Sequence, residues 1–392
     1  MTPWGSISVM KAVLCVGCTE VDYVTTIENV DFQSDQSRTQ NGMLQRSGRS
    51  SNVSTALRLL GANVELFGVL SRNPTYRMIL DDLEVRGIDT SHCTFTDDSP
   101  PFSTIVQERW TRRCTVVYCD KPFPYVTAAD FRQLDLDQYG WVNFEARSPR
   151  ETCDMIRLIL DHNNGRAERD RIVVSLQIFN AFSEVVDLIG MCDYVFVTKY
   201  IAESRGWQTP LAACEAINGL LRIPRDIAIR RPCIIVPWSS LGAGCMTTDG
   251  HYFLLPAHKP TKIIDRVGDS DCFTAAFIYA AFVRQKRLAD AVDYANAVAS
   301  FKLAYVGFDC LGQLRLDSSK LSAKLLAKMR PGTEMSSDDD DDEDSDDQEN
   351  SCRKHLLRPF EFLEPDEAVE AGSVATVELQ ADEAPVERPS SS

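Results

Sequence analysis

The sequence predicts an α/β fold: a mostly parallel sheet covered by helices on both faces, a smaller β-sheet standing off it, and an acidic tail behind. Three observations predict this. Short apolar runs alternate with segments of helical periodicity, the signature of strand–helix–strand units whose parallel strands are buried on both faces. Two segments, Asp22 to Gln45 and Pro101 to Asp120, instead set Val, Ile, Thr and Tyr between polar residues with no helix between them, as half-exposed strands do. The charge is lopsided: the formal net charge is −16, and beyond position 330 twenty acids stand against four bases, so the first 330 residues are neutral.

Taken in order, Lys11 to Val16 is a strand, apolar on both faces. Ser51 to Leu60 is a helix that ends at Gly61, the residue best suited to a left-handed C-terminal stop. Val64 to Val69 is the second strand of this series, and Tyr76 to Arg86 a helix ending at Gly87. Trp141–Phe144, Arg171–Leu176, Tyr194–Val197 and Cys233–Pro237 continue the strands, with helices over Arg150–His162 and Pro210–Leu221 among them. Thr247 to Gly250 marks a hairpin turn. An apolar run, Phe273 to Val283, forms a buried helix, followed by helices over Asp290–Tyr305 and Ser318–Met329. Past Pro331 the pattern collapses. Ser336 to Asp347 holds nine acids and three serines, which repel one another and bury nothing, so disorder is expected. Within the tail, Arg353 to Leu363 carries enough apolar residues to dock weakly on the body.

Composition excludes several classes. A neutral body offers no clustered basic face for nucleic acid. The longest apolar run, eleven residues, is too short to span a bilayer. The first ten residues lack the basic and apolar regions of a secretory leader, so a cytoplasmic protein is expected. Thirteen cysteines, an odd number and several inside apolar runs, fit reduced buried thiols better than a disulfide framework. Cys15-x-x-Cys18 stands alone, without a second pair or a histidine pair at ligand spacing, and no metal site is assigned to it.

One stretch carries chemistry: Ile264-Asp265-Arg266-Val267-Gly268-Asp269-Ser270-Asp271-Cys272-Phe273, a turn opening onto the apolar helix. The first N–H groups of such a helix lack internal partners and the helix dipole adds positive charge, which makes an anion site. An aspartate in the first turn can serve as a general base beside it, or simply as an N-cap on a core helix; the stretch alone leaves both open.

The stretch resembles the D-T-x-G-A-G-D-x-F signature of the ribokinase (pfkB) superfamily of carbohydrate kinases, and within it ketohexokinase, matching at Asp265, Gly268, Asp271 and Phe273. Other stretches line up in order: Leu14-Cys15-Val16-Gly17 followed by Asp22; Arg46-Ser47-Gly48-Arg49-Ser50-Ser51-Asn52; Trp141 to Arg147, keeping Glu145 and Arg147; Val195 to Lys199; Trp238 with Gly242; and Gly307-Phe308-Asp309. The resemblance implies a ribokinase-like three-layer sandwich with a small β lid, strands about 22–48 and 101–120. It implies a kinase domain over residues 10–330, a short N-terminal extension over 1–9 and a tail over 331–392. It implies MgATP-dependent phosphorylation of a ketohexose such as fructose, and a homodimer joined through the lid. Asp271 is then the catalytic base and contacts the sugar together with Asp22, Gly48 and Asn52, while Gly242, Gly268, Asp269 and Ser270 lie on the nucleotide side. The chain departs from the pattern where Asp269-Ser270 replaces the A-G pair, where Arg49 replaces a sugar-binding asparagine, and where Cys114 stands for a lid arginine, with Arg112 and Arg113 just upstream. These departures hold open a second reading, an impaired member of the same fold kept for binding. Gly242-Ala243-Gly244 is not the anion site, since no helix follows it, and Glu203 is read as a solvated helix face.

Overall fold

The computed structural model describes residues 11–28, 39, 41–108, 113–119, 122–179, 182–221, 231–316 and 361–362. The extension over 1–9, the helix expected at Ser318–Met329, Arg112 and the acidic run at Ser336–Asp347 lie outside the described residues.

The chain opens with β1 (Ala12–Val16), then two strands of the small sheet, β2 (Glu20–Ile27) and β3 (Asn41–Ser47), before helix α1 (Arg49–Leu60). Gly61 closes α1 in the left-handed conformation at φ 103°, as its position in the sequence predicts. Next come β4 (Val64–Phe67), β5 (Val69–Ser71), α2 (Arg77–Val85) and β6 (Thr94–Thr96). The single strand expected over Val64–Val69 is therefore split at Gly68, and its second half turns away to pair with β6 as a separate two-stranded sheet. The strands β7 (Phe102–Glu108) and β8 (Arg113–Tyr118) complete the second expected strand segment. A short helix α3 (Ala128–Phe131) follows, started by a reciprocal capping box between Thr127 and Asp130.

From there strands and helices alternate: β9 (Tyr139–Glu145), α4 (Pro149–Asn163), β10 (Val173–Ile178), α5 (Phe182–Ile189), β11 (Tyr194–Val197), α6 (Lys199–Ser204), α7 (Pro210–Leu220) and β12 (Cys233–Pro237). A hairpin of β13 (Ala243–Met246) and β14 (Tyr252–Leu255) precedes α8 (Asp269–Ile278), which runs on as a π-helical turn to Val283. The described chain then adds α9 (Leu288–Lys302), α10 (Gly312–Leu316) and a two-residue strand β15 (Glu361–Phe362).

The main sheet has the order β14-β13-β12-β11-β10-β9-β1-β4. It is parallel from β12 to β4 and antiparallel through the hairpin. Side chains alternate along each strand, so one strand feeds two cores. Leu14, Val16, Val142, Phe144, Val174 and Leu176 face the helices α4, α5 and α7. Val13, Cys15, Leu66, Trp141, Phe196 and Ile235 face α1, α2, α8 and α9. The result is the expected three-layer α/β sandwich. The small sheet, β15-β8-β7-β2-β3, stands apart as the sequence predicts. Its edge takes up Glu361 and Phe362 beside Arg113 and Cys114, inside the tail segment expected to dock.

Packing aims α8. Phe277 is fully buried and its ring meets Tyr194, Phe196 and Trp141 at centroid distances of 5.2, 5.3 and 6.4 Å. Edge-on aromatic contacts of this kind, on top of about 1.5–3 kcal/mol for burying the side chain, anchor the helix across the sheet.

Candidate active site

The parallel strands end in a row of polar groups: Gly17 and Cys18 after β1, Glu145 at the end of β9, Gln177 near the end of β10, and Thr198 and Lys199 after β11. Ligands of open α/β sheets bind at this carboxyl edge. Two helices, α1 and α8, begin there.

The turn before α8 is built around a buried ion pair. Lys302, with 0% of its side chain exposed, comes from the last turn of α9. Its ammonium donates to Asp265 Oδ2 at 2.8 Å, to the Asp265 carbonyl at 3.1 Å and to the Val267 carbonyl at 2.6 Å, which uses all three of its donors. Asp265 in turn accepts from the N–H groups of Val267 and Gly307, both at 2.8 Å. This knot fixes the backbone that leads into Gly268. Gly268 takes φ 71°, a left-handed conformation, and a Cβ there would collide with the ring of Phe308, so both the turn and the packing demand glycine.

Asp271 follows, buried in the first turn of α8. Asn52 Nδ2 donates to its Oδ2 at 2.9 Å, and Gln177 Nε2 to its Oδ1 at 3.0 Å. Arg49 Nη1 lies 3.4 Å from Oδ1 and 3.4 Å from Ser270 Oγ. Burial pushes the Asp271 carboxyl above the usual carboxylate range, opposed by the Arg49 charge and by the bonds from Asn52 and Gln177, and reinforced by Glu145. Asp269 also has its pKa raised, chiefly by burial, while Lys302 pulls the other way. Its Oδ1 accepts from the Ser270 N–H at 2.6 Å, so this carboxylate sits on one of the amides expected to receive phosphate.

Below this lies a second charge cluster. Glu145, fully buried at the end of β9, accepts from Cys18 N at 3.0 Å, Ser50 N at 3.3 Å and Arg147 Nε at 2.5 Å. Arg147 also pairs with Glu20, whose carboxyl burial pushes up to about 6. Glu145 thus ties the loop after β1 to the start of α1.

The structure gathers Asn52, Gly268, Asp269, Ser270 and Asp271. Asp22 lies on the small sheet, buried, accepting from Ser103 Oγ at 2.7 Å and Gln45 Nε2 at 3.3 Å. Gly48 is the N-cap of α1 at φ 100°, buried where a Cβ would meet the Cys18 carbonyl at 2.6 Å; it lets α1 start against the loop after β1. Gly242 stands apart, three strands from β10, at the turn into β13. Cys114 lies on β8 opposite Gln107. Glu203 pairs with Lys199 at 3.2 Å, one turn away on the same helix. Cys15 and Cys18 are buried free thiols, and burial raises Cys15 to about 12.

Sequence reasoning missed Lys302 and Gln177. Each had a signal: a lysine on the apolar side of a helix, and a glutamine inside a strand buried on both faces.

A family model described as pfkB family carbohydrate kinase matches residues 10–309. The chain belongs to this family. The kinase is 28% identical to ketohexokinase of Mus musculus over 302 residues, which cover 76% of this chain and 98% of the mouse protein. Ribokinase from Giardia lamblia superposes with a TM-score of 0.66 at 14% identity, covering 81% of this chain and 99% of that one. Arabidopsis thaliana ribokinase, solved with ribose and ATP, gives 0.64 at 16% identity, with 81% and 99% covered. At these identities the solved structures establish the fold, and the family establishes a carbohydrate kinase, a phosphotransferase. Nothing in the matches supports the alternative of an impaired member. Among the described residues no helix is long and apolar enough to cross a membrane.

Proposed function

We propose that this kinase transfers the γ-phosphoryl group of ATP to a hydroxyl of a ketohexose, a fructose-like sugar, with Asp271 as the general base. One observation carries the reading. Asp271 is buried in the first turn of α8, three residues past the left-handed Gly268, so a proton acceptor and a set of helix-terminal N–H donors stand side by side. A base of this kind needs reach first and a pKa closer to the working pH second, and burial supplies the second. The attacking hydroxyl gives its proton to Asp271, its oxygen bonds to phosphorus, and the bond from phosphorus to the bridging oxygen breaks, leaving ADP. The amides from Gly268 to Asp271 face the charge on the transferred oxygens. Such fixed donors, with positioning, supply most of the catalysis in this reaction class.

Asp22 and Asn52 hold sugar hydroxyls, Gly48 shapes the backbone that presents them, and Gly242 belongs to the nucleotide side with Asp269 and Ser270. The mouse relative, named ketohexokinase, supports the choice of sugar. Among the described residues one cluster of three metal-ligating side chains occurs, Cys18, Glu20 and Glu145, and Arg147 already pairs with both of its carboxylates. Mg²⁺ commonly keeps several waters and binds through substrate phosphates, so it would be carried in on ATP and needs no cage of side chains here. When bound, Mg²⁺ neutralises charge on the phosphates as they separate.

Tyr23, Met43, Val117 and Tyr118 leave apolar surface exposed on the small sheet, which supports a homodimer closed through that sheet. Free thiols fit a cytoplasmic enzyme. Residues 10–330 are read as the catalytic domain, with 331–392 an appended tail. The test is a coupled ADP-release assay on the full chain with MgATP and a panel of ketoses, aldoses and nucleosides. Turnover on fructose or a related ketose that disappears in Asp271→Asn is expected. Turnover confined to aldoses or nucleosides would reject the ketohexose, and ADP release no greater than that of Asp271→Asn would reject the reading.

A further inference from the structure

Arg49 occupies an unusual place. It is the first residue of α1, where the helix dipole disfavours a cation. Its guanidinium lies over the ring of Phe179, with Cζ 4.2 Å from the ring centroid, a contact that holds it in position. Arg147 approaches the same ring at 5.5 Å, but its charge is matched by Glu145 and Glu20. Among the described residues Arg49 has one carboxylate contact, Asp271, at a long 3.4 Å, and nearly a third of its side chain is exposed. The same nitrogen that approaches Asp271 also approaches Ser270 Oγ at 3.4 Å. A cation thus spans the base on one side and the phosphate-binding turn on the other. In phosphoryl transfer a group with charge spread over three non-bridging oxygens passes between those two points.

We propose that Arg49 is a catalytic residue whose guanidinium binds a non-bridging oxygen of the phosphoryl group as it leaves ATP for the acceptor. It donates hydrogen bonds and gives up no proton; the acceptor's proton goes to Asp271 and the bridging electron pair to ADP. The inference rests on the kinase reading above and extends it to a residue outside the signature motif. A planar guanidinium suits this task, because it presents several donors to a group whose oxygens spread into a plane in the transition state.

The test uses the full chain and compares wild type with Arg49→Gln, Arg49→Lys and Arg49→Ala, reading kcat and KM separately for MgATP and for the best ketose. Expected is a fall in kcat of roughly 10²–10³-fold in Arg49→Ala and Arg49→Gln, the size seen when one preorganised donor is removed, with both KM values within about threefold. Guanidinium chloride at non-denaturing concentration is expected to restore at least about tenfold of the Arg49→Ala loss, a gain that misfolding does not give. An unchanged kcat with an altered sugar KM would overturn the proposal and make Arg49 a contact for the acceptor alone. A fall in kcat that guanidinium does not recover and that Arg49→Lys shares in full, with a lowered melting temperature, would also overturn it. If wild type accepts no sugar in the panel, the ketohexose reading fails on its own, and the slow transfer from MgATP to water is then measured. A drop of tenfold or more in Arg49→Ala sustains the role of Arg49, and an equal rate in both proteins refutes it.

Discussion

Replacing Lys302 by methionine removes one charge from the most enclosed ion pair among the described residues. The lysine is fully buried and Asp265 nearly so, at 5% exposed. The substitution keeps an unbranched side chain of similar length, so packing loss is small and the effect is electrostatic. Three hydrogen bonds vanish, at 2.6, 2.8 and 3.1 Å, the first and last of them to backbone carbonyls. Asp265 keeps its bonds from Val267 and Gly307 but loses its counter-charge. Breaking a buried pair from one side costs about 3–5 kcal/mol. At about 2–4 °C per kcal/mol for a large domain, the apparent Tm falls by roughly 6–20 °C. Thermal melting followed by circular dichroism reads this directly. The double variant Lys302→Met with Asp265→Asn removes the stranded charge, so it is expected to be less destabilised than the two single losses added, by about 1–3 kcal/mol. A single variant melting within about 2 °C of wild type, or strict additivity in the double, would refute the argument that this pair holds the turn before α8.

Asp271→Asn keeps the size of the side chain but removes its basicity and one of its two acceptor oxygens, so kcat is expected to fall by roughly 10²–10⁴-fold in the ADP-release assay. The carboxyl of Asp271 is raised by burial, with Arg49 opposing and Glu145 reinforcing, and it acts as a base only when ionised. Activity is therefore lost as pH falls through a midpoint above the ordinary carboxylate range, and Arg49→Gln, which removes the opposing charge, moves that acid limb to higher pH in a kcat/KM profile. Asp269→Ala takes a carboxylate off the Ser270 amide and is expected to tighten MgATP binding by roughly 5–30-fold in calorimetry, about 1–2 kcal/mol at an effective dielectric near 20. Val117→Arg on the exposed face of β8 is expected to convert a dimer to a monomer in light scattering, while an unchanged mass would count against closure through the small sheet.

Much of this was legible in the sequence, for physical reasons. The strands of the main sheet are buried on both faces, so they read as continuous apolar runs, and the glycines at 61 and 268 mark places where only a left-handed backbone will do. The stretch from Asp265 to Phe273 was legible because its chemistry is local: base, turn and helix N-terminus lie within nine residues. What stayed hidden is non-local. Lys302 meets Asp265 across 37 positions, and Gln177 meets Asp271 across 94, and no spacing rule encodes either. The split of the expected Val64–Val69 strand at Gly68 was equally invisible, because both halves are apolar and only the pairing partner differs. The helices α5 and α6, of eight and six residues, are shorter than the roughly 11–18 residues over which a helical periodicity is read.

The departures at Asp269 and Arg49 make most sense together. Replacing a small residue by aspartate at the proposed phosphate-binding turn looks disabling, since under that proposal an incoming phosphate must displace the carboxylate from the Ser270 N–H. Yet the backbone of that turn is not set by residue 269. It is set by Gly268, by the collision a side chain there would make with Phe308, and by Lys302 holding Asp265 and Val267 from below. A side chain that rotates leaves such a backbone intact, so the aspartate weakens affinity without dismantling the donors. Arg49 acts in the opposite sense. It places a cation within reach of Ser270 and Asp271, in a cleft where the neighbouring Asp269, Asp271 and Glu145 would otherwise leave an excess of negative charge facing a polyphosphate. The added acid and the added base are therefore read as one electrostatic adjustment. It predicts that the double variant Asp269→Ala with Arg49→Gln binds MgATP less tightly than Asp269→Ala alone does.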